Sequence, residues 1–184
     1  MSMTIVKWTL DDYHCMINVG LLAGRRVELL NGEVIELSPE GEPHAYLSHE
    51  AAKYLGQLLG NRADMRQGKP IAISISSSEP EPDLAIAQSL GREYLQHHPY
   101  PENIFWLVEF SNTSLSKDIE IKPQAYAVAG ICEYWVVDLK NQRLRVFRNP
   151  IDGNYQVEDT LSKGEICPLC FPDVVVAVPR LLEG

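Results

Sequence analysis

The sequence predicts an α/β or α+β domain in which helices cover a mixed β-sheet. Three observations predict it. The elements run as a hairpin, a helix, three strands, a second helix and further strands, an order that layers helices onto a sheet. One stretch, Ile104 to Ser111 (IFWLVEFS), has the apolar composition of a strand buried in a sheet interior. A chain of 184 residues with 45% hydrophobic side chains is long enough for one well-buried core and short for two. Residues 1–184 are therefore expected to form a single domain, with a lead-in segment at 1–24, a core at 26–150 and a C-terminal strand extension at 151–184.

The first 24 residues carry a weak helical pattern, with Leu10, Tyr13, Ile17 and Leu21 at steps of three and four. Arg26 to Leu37 places Asn31-Gly32 between two alternating stretches, the strongest short-range signal for a two-residue hairpin turn. After the loop Ser38-Pro39-Glu40-Gly41, Pro43 suits the first turn of a helix ending near Leu59. Its apolar face is Leu47, Ala51, Tyr54, Leu55 and Leu58; His44 falls on that face and His49 points away.

Ile71, Ile73 and Ile75 alternate with small or polar residues, which predicts a strand with one buried face. Asp83 then opens the short strand LAIA, and the looser SLGREYLQHHPYPEN leads into Ile104 to Ser111. Asn112 to Gly130 reads as helical, with Pro123 starting a turn or a kink. EYWVVDL and LRVFRNP are strands separated by Lys140-Asn141-Gln142. NYQVED, after Asp152-Gly153, is a third. The tail from Pro172 is apolar and of undetermined type, and its Pro172-Asp173 reads as a turn.

The formal charge of −9 gives no net attraction to a polyanion, so nucleic-acid binding would need a local basic patch or a metal ion. The first twenty residues lack the pattern of a secretory signal. The longest apolar runs are far shorter than the ~20 residues that span a bilayer, and a cytoplasmic protein is expected. Cysteines 15, 132, 167 and 170 do not resemble a disulfide framework, and the lone CPLC, with no second pair and no histidine nearby, is expected to be packed thiols rather than a zinc site.

The charge inside IFWLVEFS needs an explanation, because a buried carboxylate is costly unless paired or bound to a metal. If the strand opened by Asp83 pairs antiparallel with Ile104 to Ser111, the start of one lies beside the end of the other, and Asp83 meets Glu109. Alternation groups Asp83 with Ala85 and Ala87, and Glu109 with Leu107 and Phe105. Two close carboxylates suit a hard divalent ion such as Mg²⁺. Asp118, Lys122 and Tyr126 share one face if their segment is helical, and Lys122 there is within reach of the pair. An acid, acid, lysine set points to hydrolytic phosphoryl transfer. The plainer readings are an arginine ion pair for Glu109, a solvated Lys122 with Lys117 as competitor, a packed His44, a solvated turn for Glu79 and Glu81, and a loop for His97-His98, which lack ligand spacing.

PDLAIA, LVEFSNTSLSKD and the spaced lysine, tyrosine and EYWVVDL that follow, preceded by VELLNGEVIELSPEGEPHA, resemble the Uma-type restriction endonuclease family of the PD-(D/E)XK nuclease superfamily. The likeness runs from about Val27 to Pro150. It implies a restriction-endonuclease-like core, Mg²⁺-dependent cleavage of DNA with Mn²⁺ as a substitute, and metal ligation by Asp83 and Glu109. It also draws Glu28 and His44 toward the site as flanking acid or base residues, although Glu28 equally suits bracing the hairpin. The superfamily lysine would fall two residues after the acid, where this chain has Ser111; Lys122 matches the branches that supply it from the following helix, though Pro123 disfavours helical geometry there. The expected activity is that of an endodeoxyribonuclease, with a homodimer expected because cutting both strands needs two sites. The alternative is an inactive member of the fold that binds nucleic acid or protein.

Overall fold

The computed structural model describes residues 5–112 and 117–184, without the side chain of Lys117. Residues 113–116 of the expected helix, and Lys117 as a competitor of Lys122, lie outside the described residues. The elements are α1 (Leu10–Asn18), β1 (Val27–Leu30), β2 (Glu33–Glu36), α2 (Glu42–Leu59), β3 (Asp64–Gln67), β4 (Leu84–Ala87), β5 (Ile104–Ser111), α3 (Lys122–Val128), β6 (Glu133–Asp138), β7 (Arg143–Ile151), β8 (Asn154–Leu161), β9 (Glu165–Ile166), β10 (Val176–Ala177) and α4 (Pro179–Leu182). β3 to β8 form one six-stranded sheet in sequence order, mixed because β5 and β6 run parallel while the other pairs are antiparallel. A parallel pair needs a crossover, and α3 supplies it.

Each face of the sheet is covered. Ala51, Leu55 and Leu59 of α2 and Leu181 and Leu182 of α4 pack on Trp106, Val108 and Phe110. Tyr126 of α3 belongs with Ala85, Ala87, Leu107, Tyr134 and Val136 in the opposite layer. The alternation expected for β4 and β5 therefore holds through Ala85, Ala87 and Leu107. Phe105 departs from it: the register shifts between Ile86 and Ala87, and Phe105 packs in the other layer.

The hairpin forms as the Asn-Gly signal predicts, with Asn31 at φ 51° and Gly32 at φ 73°. A side chain at Gly32 would meet Lys7 Cβ at 2.9 Å, so the lead-in chain packs directly over this turn. α1 accounts for only part of the 1–24 pattern: Tyr13 is buried, but Ile17 and Leu21 are exposed.

The strand expected at Ile71 to Ile75 does not form. Ile71 and Ile73 are fully buried, yet their amides donate to Pro80 O and Ser78 O within an irregular segment. A 3₁₀ turn at Ser74–Ser76 then turns Ile75 outward. The missing strand is β3, whose sequence DMRQ has no apolar alternation and sits at the sheet edge. The cysteines are all exposed, not packed. Glu79 is not a solvated turn residue: it is 6% exposed and pairs with His14 at 2.7 Å. Among the described residues, no helix is long and apolar enough to cross a membrane.

Candidate active site

Antiparallel pairing of β4 with β5 puts Leu84 opposite Val108, so Asp83 and Glu109 fall beside one another one step further on. The backbone holds them reciprocally. The Phe110 N–H donates to Asp83 Oδ2 at 2.7 Å, and the Asp83 N–H donates to Glu109 Oε2 at 3.4 Å. Asp83 is partly exposed and Glu109 is 4% exposed.

Lys122 arrives from the opposite layer. A π-helical turn at Lys117–Ile121 leads into α3, and Pro123 sits in the first turn of that helix, where its missing N–H costs nothing. Pro123 thus reopens the helix directly after Lys122 and leaves the lysine aimed inward. Lys122 Nζ donates to Glu109 Oε1 at 2.6 Å, with Asp118 Oδ1 at 3.7 Å and Glu28 Oε2 at 4.0 Å. Lys122, thirteen residues along the chain from Glu109, thus reaches its carboxylate, whereas position 111 carries a serine. Asp118, Lys122 and Tyr126 do share a face: all three are buried here, and the Tyr126 hydroxyl donates to Glu109 Oε1 at 3.4 Å.

Glu28 and His44 also converge. Glu28, fully buried on β1, accepts from the Glu81 N–H at 3.1 Å, which braces the hairpin, and also lies 4.0 Å from Lys122 Nζ. His44, in the first turn of α2, hydrogen-bonds through Nε2 to Asp83 Oδ2 at 3.0 Å. His44, Asp83, Glu109, Asp118 and Lys122 line a cleft of about 450 Å³. Glu40 at its mouth had no signal in the sequence beyond its place in a loop. It accepts from Arg26 at 2.6 Å and lies 3.5 Å from His44 Nδ1.

Burial shapes the electrostatics. It pushes the Glu109 carboxyl well above the usual range; Lys122 opposes this, and Asp83 and Asp118 add to it. Burial alone would lower the Lys122 ammonium, but Glu109, Tyr126, Glu28 and Asp118 outweigh it and hold the lysine protonated. Desolvation likewise works against a charged His44, while the hydrogen bond and charge of Asp83, with Glu40, carry it above its ordinary value. Among the described residues, Glu28, Glu40, Asp83, Glu109 and Asp118 thus gather around Arg26, His44 and Lys122, with Glu109 and Lys122 at the buried end and Asp83 and His44 facing the cleft. An all-oxygen donor set with surplus negative charge fits a hard divalent ion.

The profile of the family described as "Uma2: Putative restriction endonuclease" matches residues 10–179 of the chain. A crystal structure described as that of "a putative nuclease belonging to DUF820 from Anabaena variabilis ATCC 29413" superposes with a TM-score of 0.71. The match has 15% sequence identity and covers 95% of this chain and 97% of that one, a likeness that speaks for the fold alone. Among curated proteins, no sequence matches.

Proposed function

Because the chain belongs to the Uma2 restriction endonuclease family, we propose that it is a metal-dependent endonuclease that hydrolyses DNA phosphodiester bonds, with Asp83 and Glu109 holding Mg²⁺. The observation that carries this reading is the meeting of Asp83, Glu109 and Lys122 at one end of an antiparallel strand pair, 2.6 Å separating the lysine from the acid. The same reading takes the chain as one domain acting as a cytoplasmic homodimer, with Mn²⁺ able to replace Mg²⁺.

Bound there, the ion would polarise a phosphoryl oxygen and acidify a water. The chain's own residues do the rest. Lys122 stays protonated, so its work is to offset the charge that grows on the phosphate, not to remove a proton. Glu28, Asp118 and Tyr126 position Lys122 and Glu109. The Phe110 amide fixes Asp83. His44 and Glu40 line the open side of the same cleft.

The test is cleavage of supercoiled plasmid by the purified protein with Mg²⁺ or Mn²⁺. Asp83→Ala and Glu109→Ala should each abolish nicking. Full activity in either variant, or no cleavage by the wild type with any divalent ion, overturns the assignment. The inactive-module alternative draws on the acidic balance of the chain and on the lysine absent from Ser111; the contact of Lys122 with Glu109 speaks against the second of these.

A further inference from the structure

We infer that Arg26 clasps a phosphate of the DNA backbone flanking the one that is cut, and that Glu40 holds this seat until the DNA displaces it. The inference rests on the preceding reading for its substrate, and adds the residue that draws a polyanion into a cleft whose charge opposes one. Among the described residues, the cleft is lined by the carboxylates of Glu36, Glu40, Glu81, Asp83, Glu109 and Asp118, against the cations Arg26 and Lys122 and the imidazole of His44. Lys122 is buried against Glu109, and His44 is largely buried against Asp83. The Arg26 side chain is 48% exposed, so of the three it is the most open to a phosphate arriving from solvent.

The geometry suits that work. The Leu37 N–H donates to Arg26 O at 2.8 Å, which fixes Arg26 at the foot of the β1–β2 hairpin while its side chain reaches Glu40 in the loop before α2. A guanidinium meets a phosphate as it meets a carboxylate, through N–H groups aimed at an oxygen edge, so the 2.6 Å contact with Glu40 Oε1 marks where a phosphate oxygen would sit. The hydrogen bond to Glu40 leads in raising Arg26 above its ordinary value; burial opposes it, and the charges of Glu81 and Asp83 add to it. The guanidinium therefore stays charged. Lys122 serves the buried end of the cleft and Arg26 its mouth, so the group that Arg26 meets is a neighbour along the backbone of the one that is cut.

Glu40 is poised to leave. Water screens its pairing with the exposed Arg26, and a pair of this kind adds little to stability, so exchanging one anion for another costs little. The released carboxylate has a place to go. Its other oxygen, Oε2, lies 3.5 Å from His44 Nδ1, a nitrogen shielded from solvent and without a hydrogen-bond partner among the described residues. A buried polar atom left unsatisfied is costly, so closing that gap favours the exchange. Entry of DNA thus trades one ion pair for two contacts, Arg26 to phosphate and Glu40 to His44.

Fluorescence anisotropy of a labelled DNA duplex titrated with the full chain in Ca²⁺, another oxygen-seeking ion, measures binding apart from cleavage. Arg26→Ala should weaken binding about tenfold and lower the slope of log K against log salt by about one. Glu40→Gln should act the other way and tighten it about threefold, because it uncovers Arg26. A tightening cannot come from a misfolded variant. The double variant decides the mechanism: with Arg26→Ala in place, Glu40→Gln should tighten binding no further, whereas a carboxylate that merely repels DNA would help equally in both backgrounds. In plasmid nicking with Mg²⁺, the loss in Arg26→Ala should appear in KM rather than kcat. An equal effect of Glu40→Gln in both backgrounds, or an Arg26→Ala variant that binds as wild type does, overturns the clasp and leaves the Asp83–Glu109 reading in place. Duplex binding with the expected shifts but no cleavage by wild type supports the clasp and overturns the nuclease reading. No duplex bound and none cleaved overturns both.

Discussion

Glu109 and Glu133 stand on adjacent strands, β5 and β6, of the same sheet, and both are buried. Glu133 is surrounded by donors. Trp135 Nε1 and Arg148 Nε each reach its Oε1 at 2.8 Å, and the Leu169 N–H reaches Oε2 at 2.7 Å. Its charge is met by one arginine and its lone pairs by fixed N–H groups, so it ties β6, β7 and the C-terminal segment together. Among the described residues Glu109 pairs with one lysine, and shares it with two other carboxylates. Hydrogen bonds do not separate the two, since Glu109 also accepts from Tyr126 and the Asp83 amide; the balance of charge does, a buried acid matched by its own arginine being a fastener and one set among further carboxylates keeping an affinity for a cation.

Exchanging charge for amide at the two positions should break them in opposite ways. Glu109→Gln should cut DNA cleavage by about 10³-fold or more while leaving stability within about 1 kcal/mol, because one repulsive charge is removed. Glu133→Gln should cost about 3–5 kcal/mol in denaturant unfolding, since Arg148 loses its counter-charge in a mostly buried position. If both variants behave alike, the contrast is wrong.

Lys122→Met sharpens it. Without the ammonium, Glu28, Glu109 and Asp118 face one another in the interior, and stability should fall by about 3–5 kcal/mol at neutral pH. That loss should shrink at lower pH, as the carboxyls take up protons, and on adding Mg²⁺; a variant as stable as wild type and indifferent to Mg²⁺ would refute the surplus of charge. The smallest effect belongs to another well-satisfied acid, Asp138. Burial works to raise its carboxyl, but hydrogen bonds from Asn141 and Arg143 prevail and lower it. Its stabilisation is therefore complete above the ordinary aspartate range and is lost as pH falls through the lowered folded value. Asp138→Asn should flatten that acid limb by less than about 1 kcal/mol, readable as a change in the pH dependence of the urea midpoint.

The parts of this arrangement readable in the sequence are those with a local or periodic cause. Asn31-Gly32 fixes its turn through φ, α2 shows its apolar stripe, and an acid inside IFWLVEFS advertises itself. Asp83 follows from topology once two adjacent strands are taken as antiparallel. β3 was illegible because an edge strand of mostly polar residues carries no alternation. Ile71 and Ile73 alternate yet form no strand, since the chain between Pro70 and Pro80 bonds to itself and to Pro99. Glu40 and Glu79 each look like loop residues: Glu40 meets His44 from four residues before it, where the loop enters α2, and long-range packing buries Glu79 under His14.

The hairpin that carries Glu28 is not part of the six-stranded sheet. It is attached through the 77–81 segment, by the Glu79 amide to Leu29 O, the Gly32 amide to Ser77 O and the Glu81 amide to Glu28. Such an appendage can open as a unit while the sheet stays closed, at a free energy below that of global unfolding. Its amides should exchange with deuterium faster than those of Val108 and Val136. Each such opening withdraws a counter-charge from Lys122, so warming would disarm the cleft well before it melts the protein.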